Sequence, residues 1–207
     1  MEGEGETMKR IHKREAPESF LRWVRKNHSH NWDSLDSNVK RELAEQLRLE
    51  QGRLCCYCER RVDQDHSHIE HFKPQNDFPQ EAFRYENLMA SCHHKESCGT
   101  KKQHRFFPEM VCPVDKECEE RFFHNAKGEI VPVEEEDKHA WETIALLGLN
   151  SRKLRESRRI KYEEYWSMKQ YLSPSEFDEC VREILRPNLD GEYAEFWTTI
   201  KYVAEKA

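Results

Sequence analysis

Cys55-Cys56-Tyr57-Cys58, then His66-Ser67-His68-Ile69-Glu70-His71-Phe72-Lys73-Pro74, then Tyr85-Glu86-Asn87-Leu88, then Cys92 and Cys98: these segments occupy the centre of a 207-residue chain and organise the rest of it. Cys55 and Cys58 make a C-x2-C knuckle, and Cys92 and Cys98 a looser C-x5-C pair. Two short cysteine pairs separated by an insert are how a tetrahedral, all-thiolate zinc site is assembled from two turns. Glu59, Arg60, Arg61, Lys95 and Glu96 make both segments too polar for an apolar core, which weakens the alternative of free buried thiols. Structural zinc on Cys55, Cys58, Cys92 and Cys98 is therefore expected. Cys56 reads as a bystander, and Cys180, on an apolar helix face, as an ordinary small hydrophobe. Cys112 and Cys118 repeat the x5 spacing; with His124 they suggest a second metal site, for which no fourth ligand is evident.

Outward from this centre the chain turns helical on both sides. Pro17 to Asn27 groups Phe20, Leu21, Trp23 and Val24 within two turns, with proline suited to the first helical position. Ser37 to Gln51 carries Val39, Leu43 and Leu47 as an i, i+4 stripe, and Gly52 is a natural stop. Between Arg105 and Val133 short strands are expected around a Lys127-Gly128 turn. Helices follow over Asp137–Leu147 and Ser151–Tyr171. Ser173-Pro174-Ser175-Glu176 has the form of a capping box and opens a helix with Phe177, Val181, Ile184 and Leu185. A last helix carries Tyr193, Phe196, Trp197, Ile200 and Val203. The organisation is an N-terminal helical arm (1–52), a cysteine-rich core with an irregular extension (53–135) and a C-terminal helical region (136–207).

Hydrophobic residues and charged residues each make up 36%, and net charge is −6. No stretch approaches the roughly 20 apolar residues of a membrane span, and Met1 to Thr7 is acidic rather than signal-like, so a cytoplasmic protein is expected, with Met8 as an equally good start. Without a secretion signal, eight cysteines favour metal binding over disulfides. The acidic balance leaves room for a local basic groove but argues that nucleic-acid targeting is shared with a partner.

The order of knuckle, Glu-His pair, Asn-Leu, knuckle and lysines resembles the HNH endonuclease motif, in which a two-stranded hairpin and a helix hold one divalent cation against a scissile phosphate. The resemblance implies an α+β fold: a zinc-pinned ββα-metal (HNH) core flanked by N- and C-terminal helices. It implies His71 as general base, Glu70 as ligand of a catalytic Mg²⁺ or Mn²⁺, and Asn87 as the central asparagine that ties down the loop beside the base. These residue types suit phosphodiester hydrolysis. A base must deprotonate water, and a cation must offset charge on the phosphate. Histidine titrates near working pH, and a carboxylate suits a hard cation. Neighbours on a strand face opposite ways, so Glu70 and His71 need a distorted strand end to converge on one phosphate. His68 shares the face of Glu70 and is an auxiliary candidate.

The pattern breaks at its third position, where Gly99 or Thr100 stands in place of the usual Asn or His. A helix beginning there would put His104 four residues from Thr100 on one face, making His104 the substitute candidate. Lys95, Lys101 and Lys102 are expected to bind substrate phosphate, with Arg105, Arg53, Arg60 and Arg61 nearby. The run Arg152, Lys153, Arg155, Arg158, Arg159 and Lys161 covers more than one helix face and reads better as a charged exposed helix than as a nucleic-acid surface.

The likeness extends to Cys55–Glu59, Ile69–Pro74, Asn87–Cys92 and Cys98-Gly99. It continues through Phe107-Pro108, Cys118–Phe122, and Ile144–Asn150 followed by Leu154 and Arg158. Over roughly residues 8 to 165 the chain resembles the PtuB-type nucleases, which accompany a PtuA ATPase in Septu anti-phage systems and in some retron systems. That resemblance implies an effector nuclease acting on DNA or RNA, partnered by a PtuA-type ATPase and, through it, by a retron reverse transcriptase and its msDNA. Two competing readings stand beside it: a non-catalytic zinc module that binds nucleic acid or a partner through a degenerate HNH pocket, and a purely structural subunit.

Overall fold

The computed structural model describes residues 8–27 and 31–206; the acidic stretch 1–7 lies outside them. The architecture is mixed α+β, with two antiparallel two-stranded sheets among seven α-helices in the described residues. No described helix is long and apolar enough to cross a membrane.

Helix α1 (Glu18–Asn27) follows Pro17 and buries Phe20. Helix α2 (Ser37–Glu50) starts where the Asp36 side chain accepts hydrogen bonds from the amides of Asn38 and Val39. It buries Leu43 and Leu47 completely. Gly52 at φ +59° ends it, and the amide of Arg53 turns back to the carbonyl of Arg48 at 2.8 Å. Strand β1 (Ser67–His71) pairs with β2 (Leu88–Cys92), setting His68 opposite Ser91, Glu70 opposite Met89 and His71 opposite Leu88. Helix α3 (Cys98–Lys102) comes next, then β3 (Phe122–His124) and β4 (Ile130–Pro132), joined through Lys127-Gly128 with Gly128 at φ +73°.

The C-terminal helices begin where the sequence signals them. Helix α4 (Lys138–Leu147) is capped by Asp137 and stopped by Gly148 in the left-handed region. Helix α5 (Arg152–Tyr171) follows Ser151, and α6 (Pro174–Leu185) carries the full Ser173/Glu176 capping box. Helix α7 (Trp197–Lys206) is shorter than expected: Tyr193 and Phe196 precede it, and Phe196 takes φ +56°. The reason is a remote cap. Glu59, just after the knuckle and itself at φ +59°, is buried. Its carboxylate accepts the Thr198 amide (2.9 Å), the Thr198 hydroxyl (2.8 Å) and the Lys9 amide (3.2 Å). The Glu59 carbonyl accepts the Phe196 amide at 3.1 Å. Burial pushes the Glu59 carboxyl up, and these donors oppose it.

A principal core draws Met8, Phe20, Leu43, Leu47, Leu88, Phe122, Leu147 and Leu154 together from all three stretches of the chain. Each such side chain contributes about 1.5–3 kcal/mol by leaving water. A smaller core of Tyr165, Phe177, Val181, Ile200 and Val203 joins α5, α6 and α7. The β1–β2 hairpin sits between α2 and α3, with its far end toward the knuckle.

Candidate functional site

Cys55, Cys58, Cys92 and Cys98 are buried, and their sulfur atoms all lie within 4.8 Å of one another. The Sγ atoms of Cys58 and Cys92 are 3.8 Å apart, about the edge of a ZnS₄ tetrahedron with ~2.3 Å bonds. The donor set and spacing fit zinc. Among the described residues no other group of three or more metal-ligating side chains forms. Cys112 and Cys118 are separately buried, the latter bonded to the carbonyls of Met8 and Pro113. Burial pushes the Cys112 thiol up to about 12. His124 bonds the Thr199 hydroxyl at 2.8 Å, and burial holds its pKa well below the usual value. The suggested second metal site is thus not assembled. Cys56 stays outside the cluster, and Cys180 packs against Met168.

His71, at the end of β1, is half-buried. Its Nε2 lies 3.1 Å from the Ala82 carbonyl, and the Trp32 ring meets it edge-on with centroids 4.4 Å apart. A carbonyl only accepts, so Nε2 carries the proton and Nδ1 carries the lone pair. Burial holds the His71 pKa down at about 4, which keeps the ring neutral and able to accept a proton. Asn87 builds the support for that contact. Its Oδ1 accepts the Lys73 amide at 2.7 Å, and its Nδ2 donates to the carbonyls of Lys73 (3.0 Å) and Glu81 (3.1 Å). Glu81 precedes Ala82, so Asn87 holds the peptide one residue before the carbonyl that orients the base.

Glu70 leaves the opposite face. The ladder stays paired through His71, so the strand-end distortion expected to bring the two side chains together is not present. The carboxylate is buried and its oxygens have different partners. Oε1 receives the Lys102 ammonium at 2.9 Å and the Tyr57 hydroxyl at 3.2 Å, while Oε2 lies 3.3 Å from His68 Nε2. Burial pushes the carboxyl up, but His68 and Lys102 outweigh it and hold it below its ordinary value.

Lys102, expected to meet substrate phosphate, is instead fully buried, and it also donates to the His71 carbonyl at 2.9 Å. The sequence carried a signal for this: Lys102 stands four residues after the buried Cys98, on the same face of α3. His104 is exposed and lies beyond α3, which Gln103 ends at φ +54°, so the helical face expected to join it to Thr100 does not exist. Thr100 spends its hydroxyl on the Cys92 carbonyl at 3.5 Å. For a catalytic cation the motif positions thus offer one carboxylate oxygen, Glu70 Oε2.

Lys95 and Arg105 are exposed and Lys101 half-exposed. Arg53 pairs with Glu45 and Glu192, and Arg61 bonds the carbonyls of Gly52 and Tyr193. On α5, Arg155, Arg159 and Lys161 pair with Glu129, Glu163 and Glu164. Arg158 is buried against the Leu149 carbonyl. Sequence reasoning missed Tyr57, Trp32, the Ala82 carbonyl and the Glu59 cap, none of which has a local signature.

The chain matches no family model. It is 32% identical over 136 residues to a protein of Vibrio cholerae serotype O1 biovar El Tor named "Retron Vc95 putative HNH endonuclease". That alignment covers 60% of this chain and 65% of the relative's length.

Proposed function

We propose that this chain is a metal-dependent HNH endonuclease that hydrolyses nucleic-acid phosphodiester bonds. We further propose that it serves as the effector of a bacterial anti-phage defence complex with a PtuA-type ATPase, as its resemblance to PtuB and its retron relative suggest. The observation that carries the nuclease reading is His71: a neutral imidazole whose Nε2 is fixed on the Ala82 carbonyl, beside a buried glutamate, in a hairpin framed by four cysteines.

In this reading His71 Nδ1 takes a proton from the attacking water, and Asn87 and Trp32 hold the ring in place. Glu70 presents Oε2 to the cation while Lys102 and Tyr57 hold Oε1. A divalent ion there supplies charge neutralisation at the phosphate and leaving oxygen. A phosphate lying across the end of β1 meets both faces of the strand. Zinc on the four cysteines fixes the hairpin to α3, and Lys95, Lys101 and Arg105 contact the nucleic-acid backbone. His104, although exposed, is kept as an auxiliary candidate near that surface.

A second reading, a zinc-stabilised binding module without catalysis, is favoured by Gly99 and by the Lys102–Glu70 pair. The deciding assay uses purified wild type and His71→Ala on plasmid DNA and total RNA with Mg²⁺ or Mn²⁺, alone and with its PtuA-type ATPase. Cleavage that falls about 10²–10⁴-fold in the variant supports the nuclease. Equal activity, or equal inertness under every condition, leaves the binding module.

A further inference from the structure

We propose that His68 Nε2 and Glu70 Oε2 together hold the divalent ion, so that β1 supplies the ligand missing from the third motif position. The inference rests on the nuclease reading for its purpose, but the geometry stands by itself. His68 and Glu70 alternate along β1 and leave the same face. Their Nε2 and Oε2 atoms are 3.3 Å apart. Two donors bound to one ion by ~2.1 Å bonds lie about 3.0–3.4 Å apart.

Two features around the pair support the assignment. Glu70 Oε1 is occupied by Lys102 and Tyr57, which turns Oε2 toward His68. Gly99 faces both donors: a Cβ at this position would collide with Glu70 Oε2 and stand 2.6 Å from His68 Nε2. A side chain at 99 would therefore push both donors from where they stand, and glycine leaves them in place.

The ligand set is one imidazole and one carboxylate, with side-chain exposures of 27% for His68 and 7% for Glu70, so solvent reaches it from the His68 side. Imidazole suits Mn²⁺-to-Zn²⁺ transition ions better than Mg²⁺, which demands oxygen. The site is thus selective for a transition ion, Mn²⁺ above Mg²⁺.

The test is pulsed EPR of Mn²⁺ added to the zinc-loaded full-length protein, comparing wild type with His68→Gln, His71→Ala and His93→Gln. His93 is the neighbour whose ring lies 5.0 Å from His68. One bound Mn²⁺ with imidazole ¹⁴N coupling is expected in wild type, His71→Ala and His93→Gln. In His68→Gln the coupling disappears and affinity falls about ten-fold or more. Coupling that survives in His68→Gln, or bound Mn²⁺ without coupling in wild type, overturns the inference. So does the lack of any Mn²⁺ site. Should His68→Gln not fold, His68→Asn replaces it, and loss of the imidazole ¹⁴N coupling there is the same expected result. Cleavage that depends on His71 while Mn²⁺ ignores His68 sinks this inference alone. A His68-dependent ion without cleavage sinks the nuclease reading alone.

Discussion

The ammonium of Lys102 lies 2.9 Å from Glu70 Oε1, and the lysine side chain has no exposed surface. Removing one member of a buried pair leaves its partner's charge uncompensated, which typically costs about 3–5 kcal/mol. Lys102→Met is expected to lose stability on that scale in urea unfolding. Lys102→Met/Glu70→Gln is expected to recover part of the loss, because no lone charge remains. A phosphate-binding surface lysine would instead leave the unfolding midpoint unchanged.

Asn87→Ala removes three hydrogen bonds from the loop over residues 73–81 and strands two part-buried carbonyls. The expected cost is about 1–3 kcal/mol in stability. Under the nuclease reading kcat also falls by roughly ten- to hundred-fold, because the Ala82 carbonyl no longer fixes the His71 ring. Substrate affinity stays near the wild-type value. A fall in affinity at constant kcat would place Asn87 on the substrate instead.

Elemental analysis is expected to find one tightly held zinc per chain, lost on treatment with a strong chelator together with cooperative unfolding. Cys98→Ser loses the metal, whereas Cys112→Ser and Cys118→Ser retain it. Metal loss in either of the latter would mean that the C-x5-C repeat serves a second ion after all.

His124 gives a pH prediction whose sign follows from its burial. Its pKa is held well below the ordinary value in the fold. Below about pH 6.5 the unfolded chain therefore binds a proton that the fold refuses. The stability contributed by neutral His124 is complete above the unfolded pKa and declines as pH falls toward the folded one. Melting curves of wild type are expected to show a lower Tm at about pH 5 than at about pH 7.5. The drop is expected to be smaller in His124→Gln, which does not titrate. Equal slopes would assign the acid sensitivity to other groups.

The elements that the sequence disclosed are those stopped and started by nearby residues. Asp36, Asp137 and the Ser173/Glu176 box act within one turn of their helices, and Gly52 and Gly148 act by backbone freedom. The four-cysteine cluster was legible because spacing alone fixes which thiols meet. The start of α7 was not, since its cap is a carboxylate 139 residues earlier in the chain. The end of α3 was misread because nothing in Gln103 advertises φ +54°. Strand alternation puts Glu70 and His71 on opposite faces, and the strand-end distortion that would bring them together is not made by this hairpin. The partner of His71 is a main-chain oxygen, which no residue type announces.

The Glu59 cap also joins parts of the chain that are made at different times. The turn carrying Cys55 and Cys58 is synthesised on the order of ten seconds before Thr198. Throughout that interval its left-handed glutamate has neither the amide nor the hydroxyl that later stabilise it. A nascent chain cut short of α7 holds all four cysteines and the whole β1–β2 hairpin but lacks the clasp on the knuckle. In manufacture, the last helix is the part that finishes the first turn of the metal centre.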